Sequence, residues 1–143
     1  MSDTQIRRLR PAGETSGSAQ RPPQRLILPM LSFDLMGEQE QLRQEESYRA
    51  GDRNAKTLVK EHGLRVVLTV MRSGARLQEH RTAGALSVQT LTGRIRLHVL
   101  QDTIDLPVGQ VVVLDGNVSH DVEAIEESAF LLTIASAPSS TDG

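Results

Sequence analysis

The stretch from residue 56 to residue 135 carries the alternating pattern of β-strands and constrains the fold more than any other feature. β-branched residues are enriched in it, and Gly, Asp or Asn clusters interrupt it about every eight to twelve residues. The alternation is cleanest in 94–100, where three apolar residues share one face: Ile95, Leu97 and Val99. Three polar residues take the other face: Arg94, Arg96 and His98. This pattern predicts a half-exposed strand.

Strands are predicted near residues 56–59, 65–71, 80–81, 85–91, 94–100, 103–106, 111–114, 120–124 and 129–135. Segments 111–114 and 130–134 are apolar on both faces, which predicts strands sandwiched between two layers. No helix intervenes between these short strands, so the pattern favours an antiparallel sandwich or barrel over a parallel α/β sheet. The predicted fold class is all-β, with one short N-terminal helix.

The N-terminal part of the chain has a different composition. Residues 1–25 are polar and turn-forming, which predicts a disordered arm. Residues 26–31 (LILPML) form an apolar run broken by Pro29, typical of an edge strand or of a strap on the barrel or on a second subunit. The predicted organisation is an arm at 1–25, strap and helix at 26–54, a barrel at 55–136 and a flexible tail at 137–143.

Ser32 and Asp34 are good N-cap residues, and weakly apolar helical spacing follows them until Gly51. We therefore expect one surface helix. Its acidic residues are expected to form a solvated face: Glu38, Glu40, Glu45 and Glu46. The pair Glu126-Glu127 is expected to be a charged hairpin turn.

Charge and composition argue against several partners. The net charge is −2, from 16 basic and 18 acidic residues, so no strong field is available for a phosphate backbone. Three aromatic residues (Phe33, Tyr48 and Phe130) give few stacking platforms. Nucleic acid is therefore not an expected partner. A membrane is not expected either, because no apolar run approaches the roughly 18 residues that a membrane span requires. The absence of cysteine and of a targeting segment favours the cytoplasm.

Two glycine-to-histidine motifs carry the chemistry. In the first, His80 follows Gly74 and precedes Gly93; in the second, His120 follows Gly109. This arrangement resembles the cupin superfamily, whose motifs have these residues at these spacings. The resemblance covers about residues 56–135 and implies a cupin-type antiparallel β-barrel, or double-stranded β-helix. Asp115 and Asn117 stand where the second motif has proline and glycine, and both types tolerate turn conformations.

The resemblance implies a metal site of three histidines and one glutamate, of which two places are kept here. Thr82 replaces the second histidine, and Leu86, or Ser87 in a register shifted by one, replaces the glutamate. Two imidazoles leave most of a metal's coordination to water. We therefore expect no tightly bound metal, and a pocket lined by five residues: His80, Thr82, Leu86, Val88 and His120.

Other groups near the histidines could complete a metal site: Gln78, Glu79, His98 and Asp121. Strand parity turns Glu79 and Asp121 away from the neighbouring histidines. Three arginines are expected either to receive a carboxylate or phosphate at the barrel mouth or to form a solvated face: Arg72, Arg76 and Arg81.

The resulting hypothesis is a cupin that binds a small-molecule ligand as a sensor, carrier or accessory protein. The alternative is a metal-dependent enzyme of the dioxygenase or isomerase type, with His80 and His120 as ligands of Fe, Mn, Ni or Zn. The strap at 26–31 and the resemblance suggest a homodimer.

Overall fold

The fold is described by a computed structural model that defines residues 30–80 and 82–135, apart from the side chains of Glu79 and His80. The predicted arm at 1–25, residues 26–29 of the predicted strap, Arg81 and residues 136–143 lie outside the described residues.

Two helices precede nine strands in the described chain. The elements are α1 (Leu35–Gln44), α2 (Glu46–Arg49), β1 (Arg53–Glu61), β2 (Leu64–Met71), β3 (Arg76–His80), β4 (Ala85–Thr92), β5 (Arg94–Val99), β6 (Asp102–Pro107), β7 (Val111–Leu114), β8 (His120–Ala124) and β9 (Ser128–Ala135). Each predicted strand coincides with one of these, although β3 begins at Arg76 and β1 begins two residues before the predicted barrel boundary. No described helix is long and apolar enough to span a membrane.

The strands form two antiparallel sheets, ordered β1-β2-β9-β4-β7 and β3-β8-β5-β6. The main hydrophobic core lies between them and includes Leu86, Ile95, Leu97 and Phe130. The apolar face predicted for β5 is buried in this core, because Ile95 and Leu97 are fully covered and Val99 is 7% exposed. The predicted all-β antiparallel barrel with a short N-terminal helix is confirmed.

The helices cover the outer face of the five-stranded sheet at the β1 and β2 end. Asp34 caps α1, as predicted, with its carboxylate accepting from the Gly37 N–H at 3.2 Å. A second apolar cluster forms beneath the helices from Leu42, Tyr48, Leu58, Leu68 and neighbouring residues.

The prediction of a solvated acidic face was wrong for two glutamates. Glu38 is 3% exposed, and its Oε1 lies 3.0 Å from the equally buried Nζ of Lys56. Glu45 is also buried and accepts a 2.9 Å hydrogen bond from the side-chain amide of Asn54. Both acids face β1 because α1 and α2 lie directly over it.

The expectation that Glu127 is only a charged turn residue was also wrong. Its Oε2 accepts a 2.5 Å hydrogen bond from the buried Tyr48 hydroxyl and lies 3.3 Å from Arg43 Nε. Burial, reinforced by this bond to Glu127, raises the pKa of Tyr48 to about 12. The contact ties α2 to the β8–β9 turn.

The prediction that β7 is sandwiched between two layers was wrong. Val112 and Leu114 face the core, but Val111 and Val113 are 56% and 69% exposed. β7 is an edge strand, and among the described residues the cluster under the helices reaches Leu131 of β9 and Leu91 of β4 but no residue of β7. In β9, by contrast, Phe130 packs inward and Leu131 packs towards the helices, as predicted.

Candidate functional site

A cavity of about 350 Å³ lies between the two sheets. Strands β1, β2, β4 and β9 supply one wall, and β3 and β8 supply the other. Its lining is mostly apolar, with hydroxyls and cationic groups interspersed: Arg53, Ala55, Thr57, Arg65, Val67, Thr69, Leu77, Thr82, Val88, His120, Val122, Phe130, Leu132 and Ile134. An apolar cavity of this size with a few polar groups is the usual form of a small-molecule site.

His120 opens β8 and is 4% exposed, so its ring is held within the structure. Its Nδ1 lies 3.1 Å from the carbonyl oxygen of Val118. A carbonyl can only accept, so Nδ1 carries a proton and donates it to this hydrogen bond. The backbone therefore fixes the orientation of this histidine.

His80 ends β3, and the strand register pairs it directly with His120 of β8. The register shifts between Leu77 and His80, which marks an irregularity in β3. The two glycine-to-histidine motifs, forty positions apart, are therefore adjacent in the backbone of the four-stranded sheet.

The loop that carries Thr82 packs against the turn before β8. The Asn117 N–H donates to the Thr82 carbonyl at 2.6 Å, and the Thr82 hydroxyl donates to the Gly84 carbonyl at 2.8 Å. Asn117 has φ +66°, so it adopts the left-handed turn conformation expected at the family's glycine position. A Cβ on Gly116 would lie 2.5 Å from the Ala83 oxygen, which explains the glycine there.

Gly93 closes the first motif at a point of close approach. Its φ is +77°, and a Cβ there would lie 2.2 Å from the Glu127 oxygen. The buried hydroxyl of Ser128 accepts from the Arg94 N–H at 2.9 Å beside it. This turn joins the two sheets at the end of β4.

The remaining predicted pocket residues divide between cavity and core. Val88 is fully buried and lines the cavity, as do Thr82 and His120. Leu86 is 2% exposed and packs in the hydrophobic core. The side chain of His80 lies outside the described part of the structure.

The donor set falls short of a protein metal site. Among the side chains that the structure describes, which exclude Glu79 and His80, no three His, Asp or Glu residues come together as a metal would require. Asp121 instead pairs with Arg76 at 2.9 Å, and His98 Nε2 lies 2.9 Å from Glu123 Oε1. The contact with His98 lowers the pKa of Glu123. Thr82 and Leu86 bring no carboxylate or imidazole, so the described residues do not fit the three-histidine, one-glutamate site.

Arg72 and Arg76, the two described arginines among those suggested by the sequence, do not line the cavity, and Arg81 lies outside the described residues. Arg72 stacks on the Tyr48 ring at 4.4 Å and donates to the Tyr48 carbonyl, and Arg76 is paired with Asp121. Arg53 and Arg65 line the cavity instead. Period-2 alternation could have placed Arg65 on the same face as Val67, but the sequence does not show which face the helices cover.

Sequence comparisons give no relative: no protein-family model matches the chain, and no curated protein matches it. Among solved structures, a conserved protein of unknown function from Streptococcus pyogenes is 21% identical, with TM-score 0.60, covering 89% of this chain and 98% of that one. A cupin superfamily protein from Desulfitobacterium hafniense is 13% identical, with TM-score 0.63, covering 81% of this chain and 99% of that one.

An oxalate decarboxylase variant from Bacillus subtilis is 18% identical, with TM-score 0.56, covering 59% of this chain and 26% of that one. At these identities the likeness shows the fold alone. The fold is that of the cupins, which confirms the resemblance seen in the two motifs. Because the neighbours include an enzyme and a protein of unknown function, the fold does not specify an activity.

Proposed function

We propose that this cupin-fold protein binds a small molecule in the cavity lined by His120, and acts as a sensor, carrier or accessory protein. The observation that carries the proposal is the cavity itself, about 350 Å³ between the sheets with apolar walls. At about 30 Å³ per water molecule, it has room for a compound of roughly ten non-hydrogen atoms.

Some polar groups of the cavity are held by hydrogen bonds, among them His120 and Thr82, which favours selective binding over loose partitioning. The hydrogen bond from His120 Nδ1 to the Val118 carbonyl holds this ring in a fixed orientation in the cavity lining. Thr57 and Thr69 add hydroxyl groups on the opposite wall. A ligand with an apolar body and one polar group would satisfy both kinds of surface.

The proposal is tested by a thermal-shift and NMR screen of small compounds against the intact protein and two matched variants. Ala55→Met should fill the cavity from β1, where Ala55 is half-buried and lines it. Ala85→Met places the same side chain at an exposed position of β4. Compounds should bind the wild type and Ala85→Met but lose affinity for Ala55→Met. Equal binding to all three proteins would contradict a site in this cavity.

One observation favours a metal-dependent enzyme as a second candidate: the register that pairs His80 with His120. Two imidazoles could hold a divalent Fe, Mn, Ni or Zn ion only with further donors, which the described side chains do not supply. Metal analysis of the purified protein, then titration with each ion, separates the candidates. The enzyme would be favoured if the wild type retains one equivalent of metal and His120→Ala loses it. His62→Ala, at an exposed position, is the control and should keep the metal.

A further inference from the structure

We infer that the ligand of this cavity carries a carboxylate, which Arg65 binds at the cavity rim while an apolar body fills the interior. This inference rests on the proposed function, because it assigns a chemical class to the ligand of the same cavity.

The first step is the sign of the charge in the cavity. Among the described residues that line it, the charged ones are Arg53 and Arg65, and no acid stands beside them in the lining. An arginine guanidinium binds a carboxylate through parallel, charge-assisted hydrogen bonds. The lining therefore favours an anion over a cation or a neutral polar group.

The second step decides which arginine is available. Arg53 already forms an ion pair with Asp52: its Nε donates to Oδ1 at 3.0 Å and its Nη2 donates to Oδ2 at 3.4 Å. The side chain of Arg65 makes no ion pair or hydrogen bond with any group that the structure describes, which excludes the side chains of Glu79 and His80. Arg53 pairs with Met71 at the far end of β2, so the two arginines stand roughly 20 Å apart along the strand. A small ligand can therefore reach only one of them, and Arg65 is the one that has no ion pair to a described side chain.

The third step places Arg65 at a rim. Arg65, Thr82 and Ile134 also line an adjoining groove of about 340 Å³, together with Lys60 and Glu61. Lys60 is the cross-strand partner of Arg65, and both side chains are exposed. Like charges at directly opposed positions are unfavourable, so an anion between them would be stabilising.

The apolar part of the lining completes the ligand class. Val88, Phe130, Leu132 and Ile134 surround the space beyond Arg65 and can hold a hydrocarbon chain or ring. The planar guanidinium of Arg65 matches the two oxygens of one carboxylate through parallel hydrogen bonds. The chemical class is a small amphiphilic monocarboxylate.

The test uses two carboxylate probes, octanoate and phenylpropionate, each compared with its own amide. The amides keep the shape and remove the charge. Calorimetry or NMR titration of the full chain should show each carboxylate binding roughly tenfold more tightly than its amide. Added salt should weaken binding of the carboxylates and leave the amides unchanged, because Arg65 is exposed.

Arg65→Gln should reduce carboxylate affinity to the level of the amide, and Arg65→Lys should restore part of it. Arg94→Gln removes an exposed arginine from the other sheet and should leave the preference intact. Chemical-shift spectra of each variant establish that it remains folded.

Equal affinity of carboxylates and amides, with both lost in Ala55→Met, would overturn the carboxylate assignment and leave the proposed cavity function standing. Loss of the preference in Arg53→Gln but not in Arg65→Gln would overturn the choice of Arg65. Failure of both probes and of every compound in the wider screen would overturn the proposed function together with this inference.

Discussion

Lys56 and Glu38 form an ion pair beneath α1, with Nζ 3.0 Å from Oε1 and each side chain 3% exposed. Burial of two charges has a desolvation cost that only their mutual attraction and further hydrogen bonds offset. Removal of one partner leaves the other charge buried. We expect the pair to fix the position of the helix on the sheet more than it adds net stability.

Lys56→Met should lower the free energy of unfolding by about 3–5 kcal/mol, because Glu38 stays buried without its ammonium group. The double variant Glu38→Leu/Lys56→Met should recover most of this loss, as measured by urea unfolding. Arg96→Met, which breaks the exposed pair with Asp105, is the control and should leave stability nearly unchanged. A double variant less stable than Lys56→Met would contradict the buried-charge explanation.

The sequence predicted the elements that depend on local chemistry. Asp34 could be assigned as an N-cap and Asn117 as a turn residue because each type suits its conformation without distant neighbours. The inward face of β5 was predictable because Ile95, Leu97 and Val99 alternate strictly with polar residues.

The features that the sequence did not predict depend on which face of the five-stranded sheet the helices cover. Lys56 and Glu38 are charged types that are normally exposed, and only the packing of α1 on β1 buries them. Arg65 lines the cavity because the helices cover the other face of β2, which alternation alone cannot indicate. Val113 is apolar yet exposed because β7 lies at the edge of the sheet, beyond the reach of the helices.

Tyr48 should make stability depend on alkaline pH. Its pKa rises from 10.0 to about 12 on folding, so between these values the unfolded state releases a proton that the folded state keeps. The contribution of Tyr48 to the free energy of unfolding is fully present below pH 10.0 and is lost as the pH rises to about 12. Urea unfolding across this window should show a shallower decline for Tyr48→Phe than for the wild type. Parallel declines would contradict the Tyr48–Glu127 assignment.

Phe130 is 2% exposed and packs in the core between the sheets. Phe130→Ala should lower the free energy of unfolding by about 3–5 kcal/mol, through lost burial and the space left behind. Val113→Ala, on the exposed edge strand, is the comparison and should have little effect. A loss below about 1 kcal/mol for Phe130→Ala would be inconsistent with its place in the core.

Deletion of residues 1–25 should leave the melting temperature nearly unchanged, because that stretch contains little apolar surface to bury. Extending the deletion through Leu31 should lower it, since Leu31 packs against the cluster beneath the helices. We propose that 26–31 also supports a homodimer, so sedimentation should show dissociation in the longer deletion. If the longer deletion changes neither the melting temperature nor the sedimentation coefficient, the hypothesis that 26–31 forms a strap is wrong.

The interior site is tested most directly by intermolecular nuclear Overhauser effects between a bound compound from the screen and the methyl groups of the full chain. Binding in the cavity predicts contacts with the methyls of Val88, Leu132 and Ile134. The methyls of Val111 and Val113, on the exposed outer face of the same sheet, should show none. Contacts confined to Val111 and Val113 would place the compound outside the barrel and contradict an interior binding site.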